Sequence, residues 1–106
     1  MTNREEFMHR LLVLYNEPKD AAHFRKYYVE THVPLAHKMP GIKNPRYTFD
    51  AKPMGSGKAP YFCIFEADFD SEATMSAFGS KEGRAVAADV PNYASGGVTM
   101  THFPVK

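Results

Sequence analysis

The 106-residue sequence predicts an α+β domain, a four-stranded antiparallel sheet with helices over one face, in the order β-α-β-β-α-β. Three observations carry this expectation. Met8–Tyr15 (MHRLLVLY) and Tyr61–Phe69 (YFCIFEADF) have strand length and strand composition, with apolar residues on both faces. Each is followed by a polar break and a residue able to cap a helix. A weaker strand candidate then follows each helical stretch.

Residues 1–7 read as an N-terminal arm, and a single domain over residues 8–106 begins with the first strand. Alternation along that strand puts His9, Leu11, Val13 and Tyr15 on one face and Met8, Arg10, Leu12 and Leu14 on the other. Asn16-Glu17-Pro18 ends it. Asp20 is placed to cap a helix from Ala21, whose packed face is expected to carry Phe24, Tyr27 or Tyr28, Thr31 and Leu35. Pro34 is expected to end or kink that helix near His32 and Val33, because proline brings no N–H and crowds the turn before it. Pro40-Gly41 closes the unit. Ile42–Asp50 (IKNPRYTFD) is the second strand, with Pro45 marking an edge or a bulge.

KPMGSGKAP reads as a long, mobile connection to the strand at Tyr61–Phe69. There Tyr61, Cys63, Phe65, Ala67 and Phe69 share one face, and Phe62, Ile64, Glu66 and Asp68 the other. Ser71 can cap a short helix holding Met75 and Phe78. Ser80 can cap another, with Ala85, Val86, Ala87 and Val90, that stops at Pro91. Gly96-Gly97 leads into the last strand, Val98–Phe103.

Composition narrows the partners. A formal charge of +1, with both signs mixed along the chain, argues against nucleic acid or an anionic membrane. No apolar run approaches the ~20 residues that span a bilayer. The polar start MTNREEF is unlike a signal peptide, and one cysteine excludes an internal disulfide, so the cytoplasm is the expected compartment. Paired cysteines, HExxH, GxGxxG and P-loop patterns are all missing, and neither a cofactor nor a metal is called for.

The element order is the split βαβ arrangement of the ferredoxin-like fold. Helices on one side leave the other sheet face bare, which a monomer tolerates poorly when that face is apolar. The expected remedy is a homodimer whose two sheets pack as an α+β barrel. The same order, with HVPLAHKMPG and SKEGRAVAADVPNYASGGVTM, resembles the EthD family of dimeric α+β barrel proteins. The matching features are LLVLY, Asp20, Tyr27-Tyr28 and His32-Val33-Pro34-Leu35, then the S-x-E-G helix start and the glycine pair, across roughly Arg10 to Phe103. The resemblance implies a role like that in ethyl tert-butyl ether degradation beside a cytochrome P450. Relatives with this barrel act on lactones, polyketides and aromatic rings as isomerases, dehydratases, decarboxylases or cofactor-free monooxygenases. The fold hosts many reactions, so the site must decide among them.

His32 is the candidate catalytic acid/base, since imidazole changes charge nearest neutral pH. At a helix end the dipole would raise its pKa, and a plain C-terminal cap is the competing role. The resemblance favours His32 as well, as the family's most characteristic polar position. Candidate substrate contacts are Tyr15, Tyr28, Tyr47 and Tyr61, with His9 and Cys63 on strand faces that could line a cavity; Tyr93 is a further ring of this kind. His9 and His102 could equally be core histidines bonded to a neighbour, and Cys63 an inert buried thiol. His23 and His37 are expected to be exposed. Glu66 and Asp68 form either an acid/base pair or a strand end entering solvent. The expected cavity lies between the sheet and the first helix, for a small apolar or aromatic oxygenated compound. Three readings stay open: a lyase or isomerase-type enzyme, an accessory ligand-binding protein for an oxygenase such as a cytochrome P450, and a cofactor-free monooxygenase.

Overall fold

The first strand, β1 (His9–Tyr15), is the second from one edge of a four-stranded antiparallel sheet in a computed structural model that describes residues 8–106, the side chains of residues 73 and 74 excepted. The expected arm over residues 1–7 lies outside the described residues. After β1 come α1 (Ala21–Tyr27), a π-helical turn (Tyr28–His32), α2 (Val33–Ala36), β2 (Lys43–Thr48) and β3 (Cys63–Phe69). A 3₁₀ segment (Glu72–Gly79), α3 (Lys81–Asp89), a 3₁₀ turn (Val90–Asn92) and β4 (Val98–Pro104) complete the chain. Sheet order is β2-β3-β1-β4, with β1 antiparallel to both β3 and β4. This is the ferredoxin-like α+β fold.

The pairing register fixes which side chains share a face. Leu11 lies opposite Ala67 and His102, and Val13 opposite Phe65 and Met100, so these project toward the helices. Leu11, Val13, Phe65 and Ala67 are buried there, whereas Leu12, Leu14 and Ile64 on the opposite face are half-buried. In β2 the pairing slips between Lys43 and Arg46, with Asn44 at φ 50°, so Pro45 does mark a bulge.

The caps expected at Asp20 and Ser80 form: Asp20 Oδ1 accepts from His23 N–H and Ser80 Oγ from Gly83 N–H, each at 3.0 Å. Gly83 has a further reason to be glycine. A Cβ there would stand 2.2 Å from the Ala77 carbonyl oxygen, because the 3₁₀ segment runs directly against the first turn of α3.

One expectation is corrected. The helix neither ends nor caps at His32 but runs on through Pro34 to Ala36. The Val33 N–H reaches back five residues to the Tyr28 carbonyl, widening one turn just before the proline. This re-spacing changes the buried face. In an ordinary α-helix a four-residue step overshoots a full turn by about 40°. The wider turn cancels part of that drift and keeps Phe24, Tyr28, His32 and Ala36 all buried, while Thr31 is exposed. His32 is therefore on the core side of a continuous helix.

Candidate active site between the helices and the sheet

His32 is 4% exposed, and its Nδ1 lies 2.9 Å from Asp89 Oδ2. Asp89 ends α3, three residues beyond Val86, so the helix period that buries Val86 also turns Asp89 inward. Its other oxygen accepts the Tyr27 hydroxyl at 2.5 Å and the Asn92 amide at 2.9 Å. Partial burial alone would raise this carboxyl's pKa, but hydrogen bonds from Tyr27, Asn92 and His32 outweigh it and hold Asp89 below the usual carboxylate value. Burial in turn pushes His32 below its ordinary value, against the pull of Asp89. The dipole-raised pKa expected for a helix-end histidine is thus corrected, since His32 is neither terminal nor solvated.

The hydrogen-bond geometry and the direction of both shifts agree on one proton inventory. A charged carboxylate can only accept, so Nδ1 of neutral His32 carries the hydrogen and Nε2 keeps a lone pair. Nε2 makes no hydrogen bond among the described residues, and His32 lines a cavity of about 50 Å³ between helices and sheet. The cavity walls are otherwise apolar, apart from Tyr15 and Tyr28.

Tyr28 is fully buried and stacks on His32, ring centroids 5.4 Å apart at 21°. Its hydroxyl has no hydrogen-bond partner among the described residues. Burial raises its pKa strongly, so it remains a neutral donor. Tyr15 is satisfied instead: its hydroxyl lies 2.7 Å from that of Tyr93, and burial pushes its pKa up to about 12. Tyr93 packs against His32 with centroids 4.6 Å apart.

Three of the expected site residues, His32, Tyr15 and Tyr28, therefore meet at one cavity. The other four lie off it. Tyr47 packs on the far side of Tyr28 and Phe49. Tyr61 lines a separate, open cleft with Asn16, Glu17 and Lys58. Cys63 is fully buried, its thiol pushed up to about 12 by burial, which makes it an inert hydrophobe. His9 is buried, its Nε2 2.7 Å from Nδ1 of His102. His23 and His37 are exposed, as expected. Among the described residues no group of three or more His, Cys, Asp or Glu side chains is arranged to hold a metal.

Glu66 and Asp68 are not an acid pair in solvent. Asp68 is buried and takes the Arg10 guanidinium at 2.7 and 3.3 Å, while Arg46 binds Glu66 at 2.7 Å. The residues missed from the sequence are Asp89, Tyr27 and Asn92. A signal existed in DVPNY, where the acid sits at helical spacing from Val86 just before a proline.

Fold and site together define a ferredoxin-like α+β protein with a buried histidine–carboxylate hydrogen bond beside an apolar cavity. The chain belongs to the EthD family: the EthD domain model matches residues 16–97. It is 40% identical over 95 residues to an uncharacterized 11.0 kDa protein of the thcB-thcC intergenic region in Rhodococcus erythropolis, covering 88% of this chain and 90% of that one. A crystal structure of an EthD family protein from Bacillus halodurans C-125 is 29% identical, with TM-score 0.82, covering 93% of this chain and 99% of that one. A dimeric ferredoxin-like protein from Thermobifida fusca YX, 17% identical, shares the fold at TM-score 0.71 over 95% of this chain and 93% of its own. Among the described residues no helix is long and apolar enough to cross a membrane.

Proposed function

We propose that this protein acts on a small, uncharged apolar or aromatic oxygenated metabolite by proton transfer at His32, in a lyase or isomerase-type step. The observation that carries the reading is the buried Asp89–His32 hydrogen bond, which engages Nδ1 and leaves Nε2 without a partner among the described residues, on a side chain that lines an apolar cavity. The unpartnered Tyr28 hydroxyl supplies the complementary donor. Tyr28 would donate to a substrate carbonyl oxygen and so acidify the neighbouring C–H, and Nε2 would take that proton. Returning it to another atom of the same substrate completes an isomerisation; loss of a leaving group instead completes a lyase step. Asp89 holds the imidazole in the useful tautomer and stabilises it once protonated.

Acetophenone in deuterated water tests this directly, since exchange of its methyl protons reports abstraction beside a carbonyl. Wild type is expected to catalyse the exchange, and His32→Gln to lose on the order of 10²–10⁴-fold of it. Binding of acetophenone by both proteins with exchange in neither would mark a carrier, such as an accessory protein for an oxygenase.

The assembly proposed with this chemistry is a homodimer closed through the open sheet face. Half-buried Leu12, Leu14 and Ile64 on that face support it, as does the dimeric form of the Thermobifida fusca neighbour. Sedimentation as a monomer at micromolar concentration would sink it.

A further inference from the structure

The cavity at His32 is small for its proposed task. About 50 Å³ holds only a few atoms, against the ~300–1,000 Å³ of common ligand sites. Beside it lies a second hollow of about 150 Å³, walled by Leu11, Met75, Phe78, Met100 and His102. Leu11, Phe78 and Met100 line both spaces and so form the partition between them.

The three partition residues differ in freedom. Leu11 is buried on an inner strand. Met100 is 52% exposed on the edge strand β4, and its unbranched thioether has three rotatable bonds. Phe78 is half-buried on the 3₁₀ segment, a helix type with weaker hydrogen-bond geometry than α. Met100 and Phe78 are therefore the partition residues with freedom to rotate.

We propose that the two hollows are one ligand site gated by Met100 and Phe78, and that its ligand is an uncharged aromatic carbonyl compound. The carbonyl reaches Tyr28 and His32 at the inner end, and the ring occupies the outer hollow. An apolar space of about 150 Å³ is enough to hold a benzene ring. No Lys, Arg, Asp or Glu among the described residues lines either hollow, so a carboxylate ligand would lose its hydration without gaining a cation. The inner half of this inference rests on the acid–base reading of His32; the gate and the outer half do not.

Titration of acetophenone and benzoate into the folded protein, followed by protein NMR, tests it. Acetophenone is expected to bind at least about tenfold more tightly than benzoate. Met100→Trp and Met75→Trp, which fill the gate and the outer hollow, are expected to weaken acetophenone by about tenfold or more. Equal binding of benzoate, or wild-type acetophenone affinity in both tryptophan variants with their circular dichroism unchanged, overturns the proposal. The two readings fail separately. Weakened binding in the tryptophan variants without exchange in wild type leaves the gated site standing and removes the acid–base step. Unchanged binding in them with exchange in wild type does the reverse.

Discussion

Two carboxylates are buried among the described residues, and they are held in different ways. Asp68, on the open sheet face, is held by the fork of Arg10 and lies 3.9 Å from Arg46. Asp89, on the helix side, is held by a phenol, an amide and an imidazole, with no arginine or lysine among the described residues bonded to it. The first arrangement cancels charge with charge and leaves no group free to exchange a proton. The second sets a carboxylate acceptor against His32, a side chain that lines a cavity. Burial thus goes with a structural ion pair at Asp68 and, on the function proposed above, with a proton-transfer pair at Asp89, and the partners decide which.

The sharpest way to break that comparison is to make the same substitution at both acids. Asp89→Asn leaves a hydrogen-bonding side chain but no longer demands a hydrogen on Nδ1. It is expected to lower acetophenone exchange by on the order of 10²–10⁴-fold with only a modest change in melting temperature. Asp68→Asn is expected to leave the exchange rate unchanged and to lower the melting temperature by roughly a few degrees, as Arg10 loses its bidentate partner. If both substitutions depress the rate alike, the distinction between the two environments is wrong.

Acidification is expected to give a smaller effect. Burial lowers the pKa of His32 in the folded protein, whereas the unfolded chain titrates near 6.5. As pH falls below about 6.5, the unfolded chain takes up a proton that the folded one resists, so this site's stabilising contribution is full above that value and lost as pH drops through the folded pKa. Asp89, also depressed, adds a loss of the same sign in the carboxylate range. Denaturant midpoints from pH 7.5 to 5 are expected to fall more steeply for wild type than for His32→Gln. Parallel curves would mean that His32 is not the buried neutral base described.

Much of this site was legible in the sequence, and what was not has a definite cause. His32, Tyr15 and Tyr28 follow from residue type and position, and the four strands from alternation and composition. The face of the first helix was misplaced because a π turn lies between Tyr28 and His32, and ordinary helical spacing then selects exposed Thr31 over buried His32. Pro34 reads as a stop only if the ladder before it is α-helical; one widened turn carries the helix past it. Asp89 escaped notice because it is 57 residues away from His32, and nothing local distinguishes a carboxylate that will meet a histidine from one that will meet water.

The smallest expected effect concerns the hydroxyl that neither carboxylate reaches. Tyr28 buries its O–H without a hydrogen-bond partner among the described residues. Tyr28→Phe keeps the ring stacked on His32 and removes the unsatisfied oxygen, and is expected to raise stability by about 1 kcal/mol. If Tyr28 were only a packing residue, that gain would come without loss. As the donor to a substrate oxygen it carries a cost, and the same variant is expected to exchange acetophenone protons more slowly than wild type. A gain in melting temperature with a fall in exchange rate identifies a hydroxyl kept for its ligand. A variant that is more stable and equally active would return Tyr28 to the core and leave the proposed acid–base role to the Asp89–His32 pair.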